Sequence, residues 1–215
     1  MEKSKKQNII EWIACILVAV IISLLIRYFI GTPTVVKQTS MYPTLIQDER
    51  LWLNRWVKTI KKMPERGEII TFERPSKIVY DSKEIDKLNP VAKYEYENKN
   101  IFSNIAYHVL DIGKECFIKR VIALPGEHVK IKNEKVYIND EELKEPYLQD
   151  DVVTEIRNGI GYDDFIVPDN CVFAMGDNRE NSMDCRDFGC IPLEKIESKV
   201  WIRITPLNRF GKIDK

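Results

Sequence analysis

The chain has 215 residues, of which 44% are hydrophobic and 31% are charged. That length fits one ordinary domain or one domain with an anchor, and that mix excludes a wholly disordered chain. Lys plus Arg and Asp plus Glu each number 33, so the formal net charge is zero, which speaks against a nucleic-acid binder held by bulk positive charge.

The first element is an apolar run over residues 9–30, whose centre, 12–26, carries no charge. As an α-helix it is about 33 Å long, enough to cross the hydrocarbon core of a bilayer. Trp12, Tyr28 and Phe29 sit at its ends, as interfacial aromatics do. Lys3, Lys5 and Lys6 precede it, and the positive-inside rule then keeps the N-terminus in the cytoplasm. A cleaved secretory signal would have a shorter apolar core and a small-residue cleavage site, whereas this run is followed by Gly31-Thr32-Pro33. A buried core helix would be amphipathic. The expected organisation is a cytoplasmic basic tail at 1–8, a transmembrane helix at 9–30 and an extracytoplasmic domain at 31–215.

The remainder reads as strands. Residues 34–36, 68–72, 116–124, 165–167, 171–175 and 200–204 are short apolar or β-branched runs between Gly, Pro and Asn turns. Residues 129–132 and 135–138 alternate with period two around Asn133-Glu134, the pattern of a hairpin. The expected fold class is mainly β, a barrel-like domain after one N-terminal transmembrane helix. Residues 76–114 are polar and weakly periodic and read as an insertion or surface excursion. Five cysteines do not settle the redox compartment. Cys15 lies in the apolar run. Cys116, Cys171, Cys185 and Cys190 read as small apolar fillers or at most one bridge, for which Cys171 and Cys190, flanking one motif, are the candidate pair. No Cys-x-x-Cys occurs, so a zinc site is not expected; no cofactor is expected either.

Three stretches bear chemistry. Ser40 precedes Met41-Tyr42-Pro43-Thr44, where a lone serine is ordinarily a turn residue. Lys119 and Arg120 interrupt an apolar strand and alternate to opposite faces, so one of them should point inward. A buried lysine is lowered from its ordinary value near ~10.4, and a neutral amine is a competent general base for a nearby hydroxyl. Residues 176–189 pack acids, bases and amides into a loop that suits a rigid polar network.

Together these stretches resemble the bacterial type I signal peptidases, particularly the Gram-positive members, which are membrane-anchored serine peptidases with a Ser/Lys dyad. Four boxes are similar to the family's and stand in its order: Ser-Met-x-Pro-Thr at Ser40, Arg-Gly-acidic-apolar from Arg66, Lys-Arg-Val-Ile-x-Leu-Pro-Gly from Lys119, and Gly-Asp-Asn-Arg…Ser-x-Asp-x-Arg-x-x-Gly from Gly176. The resemblance implies Ser40 as nucleophile, Lys119 as general base and Ser182 as a hydroxyl that orients the lysine. It implies Asp177 with Arg120, and Asp184 with Arg186, as supporting ion pairs, and the Ser40 N–H as one oxyanion donor. It leaves Asn178 and Arg179 without a role. The chain departs from the family at Gln38, where some relatives carry a second oxyanion hydroxyl, at Cys185 in place of a common serine, and in the length of 76–114.

Ser40 stands ten residues beyond the apolar run, so it is tethered within about 33–36 Å of the membrane face. Secretory preproteins are the expected partners, with membrane lipid and without nucleic acid. Their cut region would lie as a strand beside Val36 and Gln38 and near Ile118, with small side chains beneath Met41. The expected Ser40 Oγ to Lys119 Nζ separation is about 3 Å. A Ser-His-Asp enzyme is disfavoured, since His108 lies in the irregular segment and His128 at a turn. The competing class is a noncatalytic membrane-anchored module that binds exported chains.

Overall fold

The computed structural model describes residues 5–95, 100, 103, 106–107, 110–149 and 151–213. A long helix, α1, spans Lys5–Leu25 and continues as a wider π-turn over Ile26–Ile30. Its stretch Gln7–Ile30 is long and apolar enough to cross a membrane, and none of its apolar window is buried against the rest of the protein. Ile9, Trp12, Ile16 and Leu17 are each more than half exposed, an arrangement that would be costly in water and is natural in lipid.

The rest is mainly β, in two antiparallel sheets. The strands are β1 (Gly31–Val35), β2 (Arg50–Asn54), β3 (Ile69–Glu73), β4 (Cys116–Ala123), β5 (His128–Lys132), β6 (Lys135–Ile138), β7 (Glu141–Glu142), β8 (Asp164–Ile166), β9 (Cys171–Met175), β10 (Ile191–Pro192) and β11 (Ile196–Thr205). Seven form one sheet in the order β1-β2-β11-β3-β4-β9-β10, and four form the other in the order β7-β6-β5-β8. The β5–β6 hairpin turns at Asn133-Glu134, both with positive φ (49° and 64°). Two such residues in succession match the right-handed twist of the flanking strands, and asparagine tolerates the conformation well.

One core cluster joins the sheets through Phe72, Val121, Val129, Phe165 and Phe173, and a smaller one under the β1–β2 end holds Val36, Met41, Leu45, Leu51 and Val200. The described part of 76–95 packs on the large core: Ala92 donates its N–H to the Cys190 carbonyl, Val79 to that of Asp187, and Val79, Ile85 and Tyr94 lie against buried apolar side chains. All five cysteines are free, and Cys171, Cys185 and Cys190 are buried. Cys171 and Cys190 are not bridged to each other, and both are small apolar fillers of the core.

Candidate active site

The turn that presents Ser40 is built locally. Tyr42 N–H bonds the Thr39 carbonyl at 3.0 Å and Leu45 N–H bonds that of Met41 at 2.8 Å. Met41 and Leu45 are the turn's apolar anchors, 2% and 0% exposed, each worth about 1.5–3 kcal/mol of burial. The turn therefore has little freedom to move the serine that immediately precedes them.

β4 brings Lys119 to it. In the ladder Lys119 pairs with Ile70 of β3, and Arg120 with Ile69 and with Met175 of β9. Lys119 Nζ lies 2.7 Å from Ser40 Oγ, and the lysine is 1% exposed. Burial lowers its ammonium to about 8, against the opposing pull of Asp184 and Asp177. Alternation leads to the expectation that only one of the two cations is turned inward, but both are buried, Arg120 completely. The reason is tertiary: the Arg120 side is covered by the Gly67 turn, by Asp177 and by Tyr147, whose ring centroid is 3.9 Å from the guanidinium carbon.

Arg120 is fully partnered. Its Nε and Nη2 grip Asp177 at 2.9 and 2.8 Å, and its Nη1 donates to the Gly67 carbonyl at 2.8 Å. Gly67 has φ of 84°, which lets the turn before β3 aim that carbonyl inward. Asp177 also accepts from the Thr44 hydroxyl at 2.5 Å. One carboxylate thus ties β4 to the nucleophile turn.

The loop after β9 closes over the site. Asn178 donates its backbone N–H to the Ser40 carbonyl at 3.0 Å and its side-chain amide to the Thr39 carbonyl at 3.1 Å. Asp184 takes the Gly176 N–H at 3.0 Å and a two-pronged bond from Arg186 at 2.9 and 3.0 Å. Burial would raise the Asp184 carboxyl, but the Arg186 charge and these hydrogen bonds hold it below the ordinary carboxylate range. Ser182 is buried close to Gly176, its hydroxyl adds to the groups that hold the Asp184 carboxyl low, and it makes no hydrogen bond to Lys119 among the described residues.

Several supporting residues were invisible in the motifs. Arg179 donates to the Gly176 carbonyl, to Thr154 at 2.5 Å and to Glu145, with which it forms a buried ion pair. Arg186 reaches the carbonyls of Glu155 and Arg179. Glu145, Tyr147 and Thr154 sit in an irregular segment with no periodicity, and only the density of unpaired charge in 176–189 hinted that outside partners were needed.

A cleft of about 1110 Å³ leads to the dyad. Val36, Gln38, Met41 and Ile118 all line it. β1 is a sheet edge, and residues 116–118 pair with β3 alone because the β9 ladder begins at Arg120. Two strand edges therefore face the cleft with main-chain groups to offer. His128 pairs with Asp164 at 2.7 Å on the second sheet, while His108 lies outside the described residues. No cluster of three or more His, Cys, Asp or Glu that could hold a metal ion occurs among the described residues.

Residues 9–205 match the family described as signal peptidase, peptidase S26. The chain is 37% identical over 215 residues to signal peptidase I S of Bacillus subtilis (strain 168), covering 97% of this chain and 96% of that one. It is 33% identical over 210 residues to a probable signal peptidase I-1 of Synechocystis, covering 96% and 88%. A crystal structure of a signal peptidase I from Enterococcus faecalis V583 aligns with a TM-score of 0.39 at 23% identity, over 65% of this chain and 97% of that one.

Proposed function

The chain belongs to the signal peptidase family, peptidase S26, and from that premise we propose how its residues carry out the reaction. It is a membrane-anchored serine endopeptidase that removes signal peptides from preproteins. Ser40 is the nucleophile and Lys119 the base. The observation that supports this most is the 2.7 Å contact between Ser40 Oγ and a lysine 1% exposed.

The neutral Lys119 amine takes the Ser40 proton as Oγ attacks the scissile carbonyl. The same proton passes to the departing amine, leaving an acyl-enzyme, and the amine then activates the water that releases the signal peptide. At neutral pH about one molecule in ten carries the amine uncharged, given a value of about 8, against a vanishing fraction for an exposed lysine. The Ser40 N–H is one donor to the oxyanion. The cut region binds as an added strand between residues 35–38 and 115–118, with Met41 under the small side chains.

The anchor sits in membrane lipid with its basic tail in the cytoplasm, so the catalytic domain faces outward, where signal segments emerge. The test is cleavage of a preprotein by the detergent-solubilised chain, its Ser40→Ala variant and Lys119→Arg, which keeps the charge but cannot lose the proton. Both variants are expected to be inert; activity in Lys119→Arg would remove the amine from the mechanism, and binding without cleavage by the unmutated chain would favour the noncatalytic module.

A further inference from the structure

The cleft has two chemically different ends. Through β1, β2, β11, β3 and β4 each neighbour is antiparallel, so β1 and β4 run in the same sense along its walls. Both lead from the anchor toward the dyad. Ser40 and Lys119 occupy the far end. The near end, where Arg55 N–H bonds the Ile30 carbonyl at 3.0 Å, is lined by Arg27, Arg55, Asp111, Lys114 and Glu197.

This near end carries surplus positive charge. Glu197 accepts Lys114 at 2.5 Å, Lys58 at 2.6 Å and Arg55 at 3.3 Å, and Asp111 accepts Arg55 at 2.7 Å and Arg27 at 3.4 Å. Among the described residues four cations thus share two carboxylates, with Arg27, Arg55 and Lys114 lining the cleft and Lys58 outside its lining. Arg55, almost fully buried, still has an Nε without a hydrogen-bond partner among the described residues. Burial lowers the Lys58 ammonium, and the like charges of Lys114 and Arg55 add to that.

We infer that this cluster is a substrate subsite that selects negative charge, and rejects positive charge, in the preprotein about five residues ahead of the cut. The inference rests on the peptidase reading above. The apolar part of the substrate shares the membrane with α1, so the substrate enters at the Arg27 end and runs toward Ser40. Lys114 stands two residues before β4 begins and five positions before Lys119, and a bound strand has the same rise of about 3.3 Å per residue as β4 beside it. At that place the helix of the signal segment ends, and the unpaired carbonyls of a helix C-terminus carry about half a negative charge. An acidic side chain there adds to the attraction, and a lysine opposes it.

The test uses three preproteins that differ only at the fifth residue before the cut, with Asp, Asn or Lys, and the full chain in phosphatidylcholine vesicles, whose neutral surface does not sort charge. The expected kcat/KM order is Asp, Asn, Lys, with about tenfold between the extremes, shrinking as salt is raised. Combined Arg27→Gln and Lys114→Gln should bring the ratio close to one, and the exposed Arg27→Gln alone should lower it without a folding cost. Binding of the same three preproteins to Ser40→Ala reads the preference without chemistry, so a failure of the peptidase reading shows as lost cleavage with the preference intact. A ratio near one in the unmutated chain, or an undiminished ratio in the variants, overturns the subsite.

Discussion

A Cβ on Gly176 would lie 2.4 Å from the Ser40 carbonyl oxygen. The loop after β9 and the nucleophile turn are therefore in backbone contact, and the hydrogen bond from Asn178 N–H to that same carbonyl depends on the closeness. The hypothetical carbon would also meet Ser182 Oγ at 2.2 Å, so there is no direction in which a side chain escapes. Gly176→Ala should push the loop off Ser40 and lower kcat by about a hundredfold or more, as a misplacement on the order of 1 Å does at other sites. Preprotein cleavage under saturating substrate measures it, and an alanine variant with full kcat would show that the contact does not hold the serine.

The lysine makes stability and activity depend on pH in the same direction. Its folded value of about 8 lies below the ordinary 10.5 of an exposed lysine. Between these values the unfolded chain binds the proton more tightly than the folded one, so stability rises with pH from about 8 to 10.5 and the full penalty applies below 8. The penalty is on the order of 3 kcal/mol. Lys119→Met, which keeps the volume and removes the charge, should therefore be inactive yet more stable at pH 7, with the gain fading above pH 10. In the unmutated enzyme the acid limb of kcat/KM should fall near pH 8. Thermal melts across pH and a pH–rate profile check the two halves separately.

The Asp177–Arg120 pair predicts a different pattern. Both side chains are wholly buried, so Asp177→Asn leaves a guanidinium without its counter-charge, at a cost of about 3–5 kcal/mol. Arg120→Met combined with Asp177→Leu removes both charges and should cost less than either single change. Urea unfolding of the cycle measures the coupling, and additive single and double effects would mean that the pair is not a unit.

The difference between what the chain discloses and what it conceals follows from the range of the interactions. The β5–β6 hairpin, the apolar helix and the four boxes are local patterns, and each is legible because its determinants lie within a few residues. The burial of Lys119 and Arg120 on both faces of β4 is not local: it is created by Tyr147, Asp177 and the Gly67 turn, which arrive from tens of residues away. Glu145 and Thr154 are equally silent, since an acid and a hydroxyl in an irregular stretch look like solvent-facing residues until Arg179 is placed between them. Residues 76–95 have mostly polar, exposed side chains, and their composition does not disclose that a few apolar groups and main-chain bonds such as Ala92 to Cys190 dock them on the core.

Ser182 separates a structural from a catalytic role. Its hydroxyl is buried beside Gly176 and is one of several groups that lower the Asp184 carboxyl, which keeps its bonds from Gly176 and Arg186 when the hydroxyl is removed, so the hydroxyl contributes little to stability. Ser182→Ala should therefore leave the melting temperature nearly unchanged. If the hydroxyl turns to hold the Lys119 amine once substrate excludes water, the same variant should lose about ten- to a hundredfold in kcat with little change in KM, and its acid limb should shift. Ser182→Thr, which restores the oxygen, should recover part of the rate if the extra methyl is accommodated beside Gly176, whereas Ser182→Cys, of similar size but a poor donor, should not. Full activity in the alanine variant would reduce Ser182 to a packing residue and leave Lys119 oriented by β4 and Ser40 alone.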